Sequence, residues 1–230
     1  MKSRRKFLKA AGVSAAVAGS APFLPVGAIA TETSGKVDDF VRKLMATLPK
    51  QPANGSWGAT EDNILGPFYR KGAMFRAKVT PPMEPGRLLV VNGRVWGDDT
   101  RKPLSMAILD VWQADDNGVY DNQNPKKQPG LTEMTNRARM VADEAGRYEF
   151  ESIHPGRYMI NDTTWRPEHI HFMVSHPGYQ TLVTQLYFEG DPHNAGDDFI
   201  KQSLIMKVNQ ATTHGTTYDT VTFDIVLAKK

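Results

Sequence analysis

The chain has 230 residues, six histidines, no cysteine and 23% charged residues, with a formal net charge of +3. The lack of cysteine excludes thiolate metal sites, cysteine nucleophiles and a disulfide framework, so any metal must be held by His, Tyr, Asp or Glu. The positive balance belongs to residues 1–30, which hold Lys2, Arg4, Arg5, Lys6 and Lys9 and no acid; the remaining 200 residues have a net charge of −2 and no basic stripe suited to nucleic acid.

Residues 1–30 have the layout of an export signal. A charged start leads into a mildly apolar stretch broken by Pro22 and Pro25, which ends on the small-residue run Ala28-Ile29-Ala30. Arg4-Arg5, followed by Lys6-Phe7-Leu8-Lys9, is similar to a twin-arginine signal, which implies export of a folded protein to the periplasm or beyond the cell. The apolar stretch is a poor permanent membrane span; an N-terminal anchor is the alternative. The expected organisation is an export signal over 1–30, a helix and linker over 31–60, and one β domain over 61–230.

Apolar residues at 37, 40, 41, 44, 45 and 48 have helical spacing, so Val37 to Leu48 is expected to form a short amphipathic helix. The stretch PKQPANGSWGAT after it reads as a loop. From Arg87 onward the texture changes. RLLVVNGRVW, LSMAILDVWQ, RARMVAD, RYEFESI, HIHFMVS, TLVTQLYFEG and TVTFDIVLA are short runs rich in β-branched and aromatic residues, separated by turn-formers such as DDNG, DEAG and HPGR. This pattern predicts an all-β fold: a Greek-key β-sandwich with long loops rather than a parallel α/β sheet. The longest apparent loop, NQNPKKQPGLTEMTN, is of the kind that often carries function.

His169 and His171 are two residues apart in a predicted strand, so their rings share one face. That arrangement suits a shared metal, and equally an ordinary packed sheet face. Arg166-Pro167 places a cation just before the pair, an odd neighbour for a metal unless it meets an anion. Tyr120 follows the Asn117-Gly118 turn and Tyr158 the Pro155-Gly156 turn. Both could be loop aromatics with exposed hydroxyls. Both could also be phenolate ligands: a phenol loses its proton near pH ~10 in water, and a highly charged ion can displace it at neutral pH. The lone histidines of the turns and loops, His154, His176, His193 and His214, are expected to be solvated, and Asp191 to serve a turn.

In series, GPFY (66–69), LDVWQADDNGVY (109–120), GRYEFESIHPGRY (146–158), WRPEHIHF (165–172) and LVTQLYFEGDP (182–192) resemble the intradiol ring-cleavage dioxygenases, most of all the iron-bearing subunit of protocatechuate 3,4-dioxygenase. The likeness spans most of residues 60 to 200. It implies a non-haem Fe(III) enzyme that cleaves a catechol-type ring with O2 between the two hydroxyl-bearing carbons, to a cis,cis-muconate-type product. Carried across, it makes Tyr120, Tyr158, His169 and His171 the ligands, with a solvent hydroxide completing a neutral centre. It makes Tyr158 the ligand that a catechol displaces, Arg166 the cation that steadies developing negative charge, Gln185 a polar group near the reacting face, and Tyr69 a pocket wall. The implied partners are a small catecholic substrate and O2, with a homo-oligomer possible in principle and neither nucleic acid nor a stable membrane span expected. Two departures stand out. The segment MINDTTW before Arg166 is short for a protocatechuate enzyme, which leaves ring-substituent preference open. The helix at 37–48 is also short beside the helical N-terminal region through which catechol 1,2-dioxygenases dimerise. A β-sandwich binding module without turnover, and another metal at the same ligands, remain the rival readings.

Overall fold

The computed structural model describes residues 38–40, 42–43 and 46–230. The export-signal segment lies outside the described residues. Within the expected helix, residues 38–40, 42–43 and 46–47 are helical, while positions 37, 41, 44 and 45 also fall outside. No helix among the described residues is long and apolar enough to cross a membrane. The chain divides into two compact units, Met1–Leu48 and Pro49–Lys230. Residues 49–60, expected to be linker, belong to the second unit: the Ala53 N–H donates to Asp224 Oδ2 (2.7 Å) and the Thr60 N–H to the Val226 carbonyl (2.9 Å).

The described strands are β1 (Leu88–Gly97), β2 (Ile108–Trp112), β3 (Arg137–Val141), β4 (Arg147–Ile153), β5 (Tyr158–Met159), β6 (Trp165–Arg166), β7 (His169–Ser175), β8 (Leu182–Phe188), β9 (Ile205–Met206), β10 (Asn209–Thr213), β11 (Thr216–Thr222) and β12 (Ile225–Leu227). One sheet gathers β10, β11, β1, β12 and β4; the other has the order β3-β2-β7-β8-β9; β5 and β6 form a small ribbon. Both sheets face one core. Leu89, Val91 and Phe150 from the first meet Leu109, Val111, Ile170, Phe172 and Leu186 from the second. Phe172 touches Tyr148, Phe150 and Phe223, with ring centroids 6.2, 6.1 and 5.3 Å away. This is the expected all-β sandwich. Strand alternation builds it: Leu89, Val91 and Val95 of β1, Leu109 and Val111 of β2, Tyr148 and Phe150 of β4, and Ile170, Phe172 and Val174 of β7 are buried at every second position.

The run TVTFDIVLA divides into two strands. β11 and β12 both run parallel to β1 and keep one register, Val91 opposite Val221 and Val95 opposite Ile225. Between them Asp224 replaces a ladder contact with its side chain, Oδ1 accepting the Arg94 N–H at 2.7 Å. A strand pattern read by alternation continues through such a break, since Phe223 and Ile225 stay buried on either side of it.

In β7, Ile170, Phe172 and Val174 fill the sandwich, so His169 and His171 are on the outer face of their sheet. Loops cover that face. Trp112, Ala114 and Tyr120 form a second apolar cluster there with Phe68, Tyr69, Tyr158 and Met173.

Candidate metal centre

Two turns deliver the tyrosines. Asp115 Oδ1 accepts the N–H groups of Asn117 (2.9 Å) and Val119 (2.8 Å), closing the turn that ends at Tyr120. The Pro155-Gly156 turn lies against it, and the Gly156 N–H donates to the Asp115 carbonyl at 2.6 Å. The two backbones touch. A Cβ on Gly118 would stand 2.2 Å from the Arg157 carbonyl oxygen, and one on Gly156 would stand 2.4 Å from the Asp116 carbonyl oxygen. Glycine at both positions lets the turns interlock, bringing two tyrosines 38 residues apart in sequence face to edge, 5.8 Å between centroids and 87° between planes.

The four expected ligands converge. His169 Nε2 is 3.2 Å from His171 Nε2 and 3.3 Å from Tyr120 Oη. The Tyr120 and Tyr158 hydroxyls are close enough to act on each other's ionisation. The Tyr158 ring is 5.7 Å from the His169 ring. Tyr120, His169 and His171 are buried, and Tyr158 is half-buried. His169 Nδ1 lies 2.7 Å from the Pro167 carbonyl, which places its proton on Nδ1 and leaves the Nε2 lone pair facing the other donors.

Electrostatics keep all four neutral. Burial, reinforced by the Arg166 charge, lowers His169 to about 3, and burial with the neighbouring His169 pushes His171 well below the usual histidine range. Burial raises Tyr120 well above the usual phenol range, with Arg166 and Arg137 opposing. Tyr158 is raised by burial against the opposing pull of Arg166. Two imidazole nitrogens and two phenol oxygens whose heads crowd one point form a donor set for a hard, highly charged ion. Among the described residues no group of three or more His, Asp or Glu has metal-ligand geometry.

Arg166 is buried beside it. Register places Tyr158 opposite Arg166 in the β5–β6 ribbon. The guanidinium donates through Nε to Asp197 Oδ2 (2.5 Å) and through Nη2 to Gln185 Oε1 (2.8 Å) and Tyr187 Oη (3.1 Å). Phe199 lies across its face, 5.0 Å from the ring centroid. Gln185, opposite His171 in β8, spends its amide on the Ile64 carbonyl (2.9 Å) and its oxygen on Arg166 and Tyr187 (both 2.8 Å). It thus supports the arginine. Tyr69 is half-buried against Trp112, centroids 4.9 Å apart, in the wall of the cluster. The long loop after Tyr120 is fastened by Arg137, which binds Asp121, Asn122 and the Phe68 carbonyl, and it borders an open cavity of about 590 Å³ floored in part by Tyr120.

Two contributors escaped the sequence. Asp197 sits in a polar stretch with nothing to mark it as the arginine's partner. His154, expected to be solvated, is buried with Nε2 2.8 Å from Asp219 Oδ2, because the HPGR turn folds against the middle of β11. Asp191 does serve its turn, accepting the His193 N–H at 2.8 Å. It also accepts the Glu168 N–H (2.8 Å) and Arg157 Nε (2.9 Å), tying together the segments just beside His169 and Tyr158.

Comparison with known proteins gives the family. Residues 64–229 match the family described as Dioxygenase. The chlorocatechol 1,2-dioxygenase of Rhodococcus opacus is 34% identical over 194 residues, 75% of this chain and 73% of that protein. The chain belongs to the intradiol dioxygenases. The beta chain of protocatechuate 3,4-dioxygenase from Burkholderia cepacia is 35% identical over 177 residues, 71% of this dioxygenase and 73% of the relative. The crystal structure of 3-chlorocatechol 1,2-dioxygenase from Rhodococcus opacus 1CP superposes with a TM-score of 0.68 at 27% identity, covering 75% of this chain and 74% of that one. The dioxygenase spans between 54% and 73% of the length of curated relatives it matches. It is an ortho-cleaving enzyme by family.

Proposed function

We propose that Tyr120, Tyr158, His169 and His171 hold a single ferric ion, and that the chain uses it to cleave a catechol-type ring with O2 between the hydroxyl-bearing carbons, giving a cis,cis-muconate-type product. The observation that carries this reading is the convergence of four neutral N and O donors on one buried point, with His169 and His171 Nε2 3.2 Å apart. The chemistry such an ion supplies is Lewis acidity toward a catechol dianion and an electron-accepting partner for its ring.

The chain's own groups have defined tasks around it. Tyr158 is the more exposed phenol, and as a phenolate displaced from the ion it would serve as the base for a catechol hydroxyl proton. Arg166 is a preorganised cation, fixed by Asp197 and Gln185, aimed at a site where negative charge develops. Phe68, stacked on Tyr120 at 4.2 Å, covers one side of the donor set, and Phe199 packs over the Arg166 guanidinium. The twin-arginine-like leader supports export, so the substrate would be an aromatic met outside the cytoplasm.

The purified, iron-loaded protein should be red-brown from a tyrosinate-to-iron band that changes hue when catechol is added without oxygen. Admitting air should consume O2 and release a muconate absorbance. A colourless protein with full iron content would overturn the ligand assignment.

A further inference from the structure

The two imidazoles of the donor set are held by different means. His169 is tethered through Nδ1 to the Pro167 carbonyl. His171 has no such tether: its Nδ1 is buried, and no polar atom among the described residues reaches it in hydrogen-bonding geometry. A metal-ligating histidine ordinarily uses that second nitrogen to set the direction of the first.

Flat packing takes its place. The Trp112 indole lies parallel to the His171 ring, with centroids 4.8 Å apart and planes 6° apart. The two residues are direct partners across β2 and β7, so the stack is built into the strand register. Gly66, with φ at +71°, closes the ring's edge: a Cβ there would stand 3.1 Å from Cε1 and 3.5 Å from Nε2. Tyr69 leans on the indole in turn, which keeps Trp112 in place.

We propose that Trp112 and Gly66 are positioning residues for His171, aiming its Nε2 by enclosing the ring where a hydrogen bond does that work for His169. The proposal rests on the ferric reading of the tetrad. It follows that His171 depends on the flatness of its neighbour, and that polarity at position 112 is dispensable.

The test compares Trp112→Phe, Trp112→Leu and Gly66→Ala in the full chain. Iron-loaded protein is challenged with excess chelator, and loss of the visible band gives the release rate. Phe keeps a flat ring and should release iron within about threefold of the parent, whereas Leu and Gly66→Ala should release it about 10- to 100-fold faster, the range expected for losing an orienting contact. A second readout needs no metal. In the iron-free, ¹⁵N-labelled chain, the His171 ring resonances should be sharp in the parent and Trp112→Phe and broadened in Trp112→Leu, with His169 unchanged throughout. Iron release and ring signals unaltered by Leu would overturn the proposal. So would Phe behaving like Leu, since bulk alone would then be what matters. If the Leu chain does not fold, Gly66→Ala decides by the same two readouts. A parent chain that binds no iron at the tetrad defeats the ferric reading, while the ring signals still report independently on how His171 is held.

Discussion

On the inner side of β7, Ile170, Phe172 and Val174 are sealed between two sheets; on the outer side, one residue away each time, His169 and His171 are sealed under loops. Both sides are equally dry, yet they cost and yield different things. The inner side exchanges water for apolar contact and stabilises the fold. The outer side buries two imidazoles that must stay neutral, which opposes folding in acid, and it spends a rigid strand on aiming lone pairs. Burial alone therefore does not tell function from architecture here; what each buried atom touches does.

The comparison is broken most completely by truncating one residue on each side. His171→Ala should abolish iron binding and turnover at a smaller cost to the iron-free chain than Phe172→Ala, because the cavity it opens beside Trp112 is partly offset by removing a buried Nδ1 that no neighbour satisfies. Phe172→Ala should instead cost about 3–5 kcal/mol of stability, by opening a cavity against Tyr148, Phe150 and Phe223. Iron analysis, steady-state oxygen uptake and denaturant unfolding of both variants check this. A His171→Ala chain that keeps its metal would dissolve the distinction.

Arg166 belongs to both categories, and a double variant separates them. Alone, Arg166→Met leaves Asp197 buried without its counterion, an arrangement that typically costs about 3–5 kcal/mol. Adding Asp197→Asn removes the stranded charge and should restore most of that stability. Turnover should stay about 10²- to 10³-fold down in both, with iron retained, as expected for losing one preorganised electrostatic donor. Recovery of turnover in the double variant would make Arg166 a structural residue only.

The sequence exposes β7 and its neighbours because their periodicity is two and their faces differ in polarity. It exposes Tyr120, Tyr158, His169 and His171 because each follows a turn or strand signal in a recognisable order. It conceals the Arg166–Asp197 pair, since a salt bridge spanning 31 residues depends on how the loop after β8 returns over the sheet. It conceals β5 and β6, two-residue strands too short for any periodicity to register. His154 shows the converse error: a turn residue reads as solvated until a second turn and a distant strand close over it.

The smallest effect distinguishes the two sides by pH. In the iron-free protein His169 titrates at about 3, against about 6.5 for an unfolded histidine. Between those values the unfolded chain binds a proton that the native chain refuses, so acidification from pH 6.5 toward 3 drains stability, and the contribution is whole only above 6.5. Carboxylates also titrate there, so the quantity to measure is the difference in slope between the parent and His169→Gln, with the variant expected to lose less over that window and no difference expected above pH 7. Ile170→Val, one residue along the same strand, should lower stability by about 0.5–1.5 kcal/mol at every pH alike, because no proton is involved in what it removes. If the two variants show parallel pH profiles, the outer face imposes no proton-linked cost, and the neutral-imidazole account of how these ligands wait for their metal is wrong.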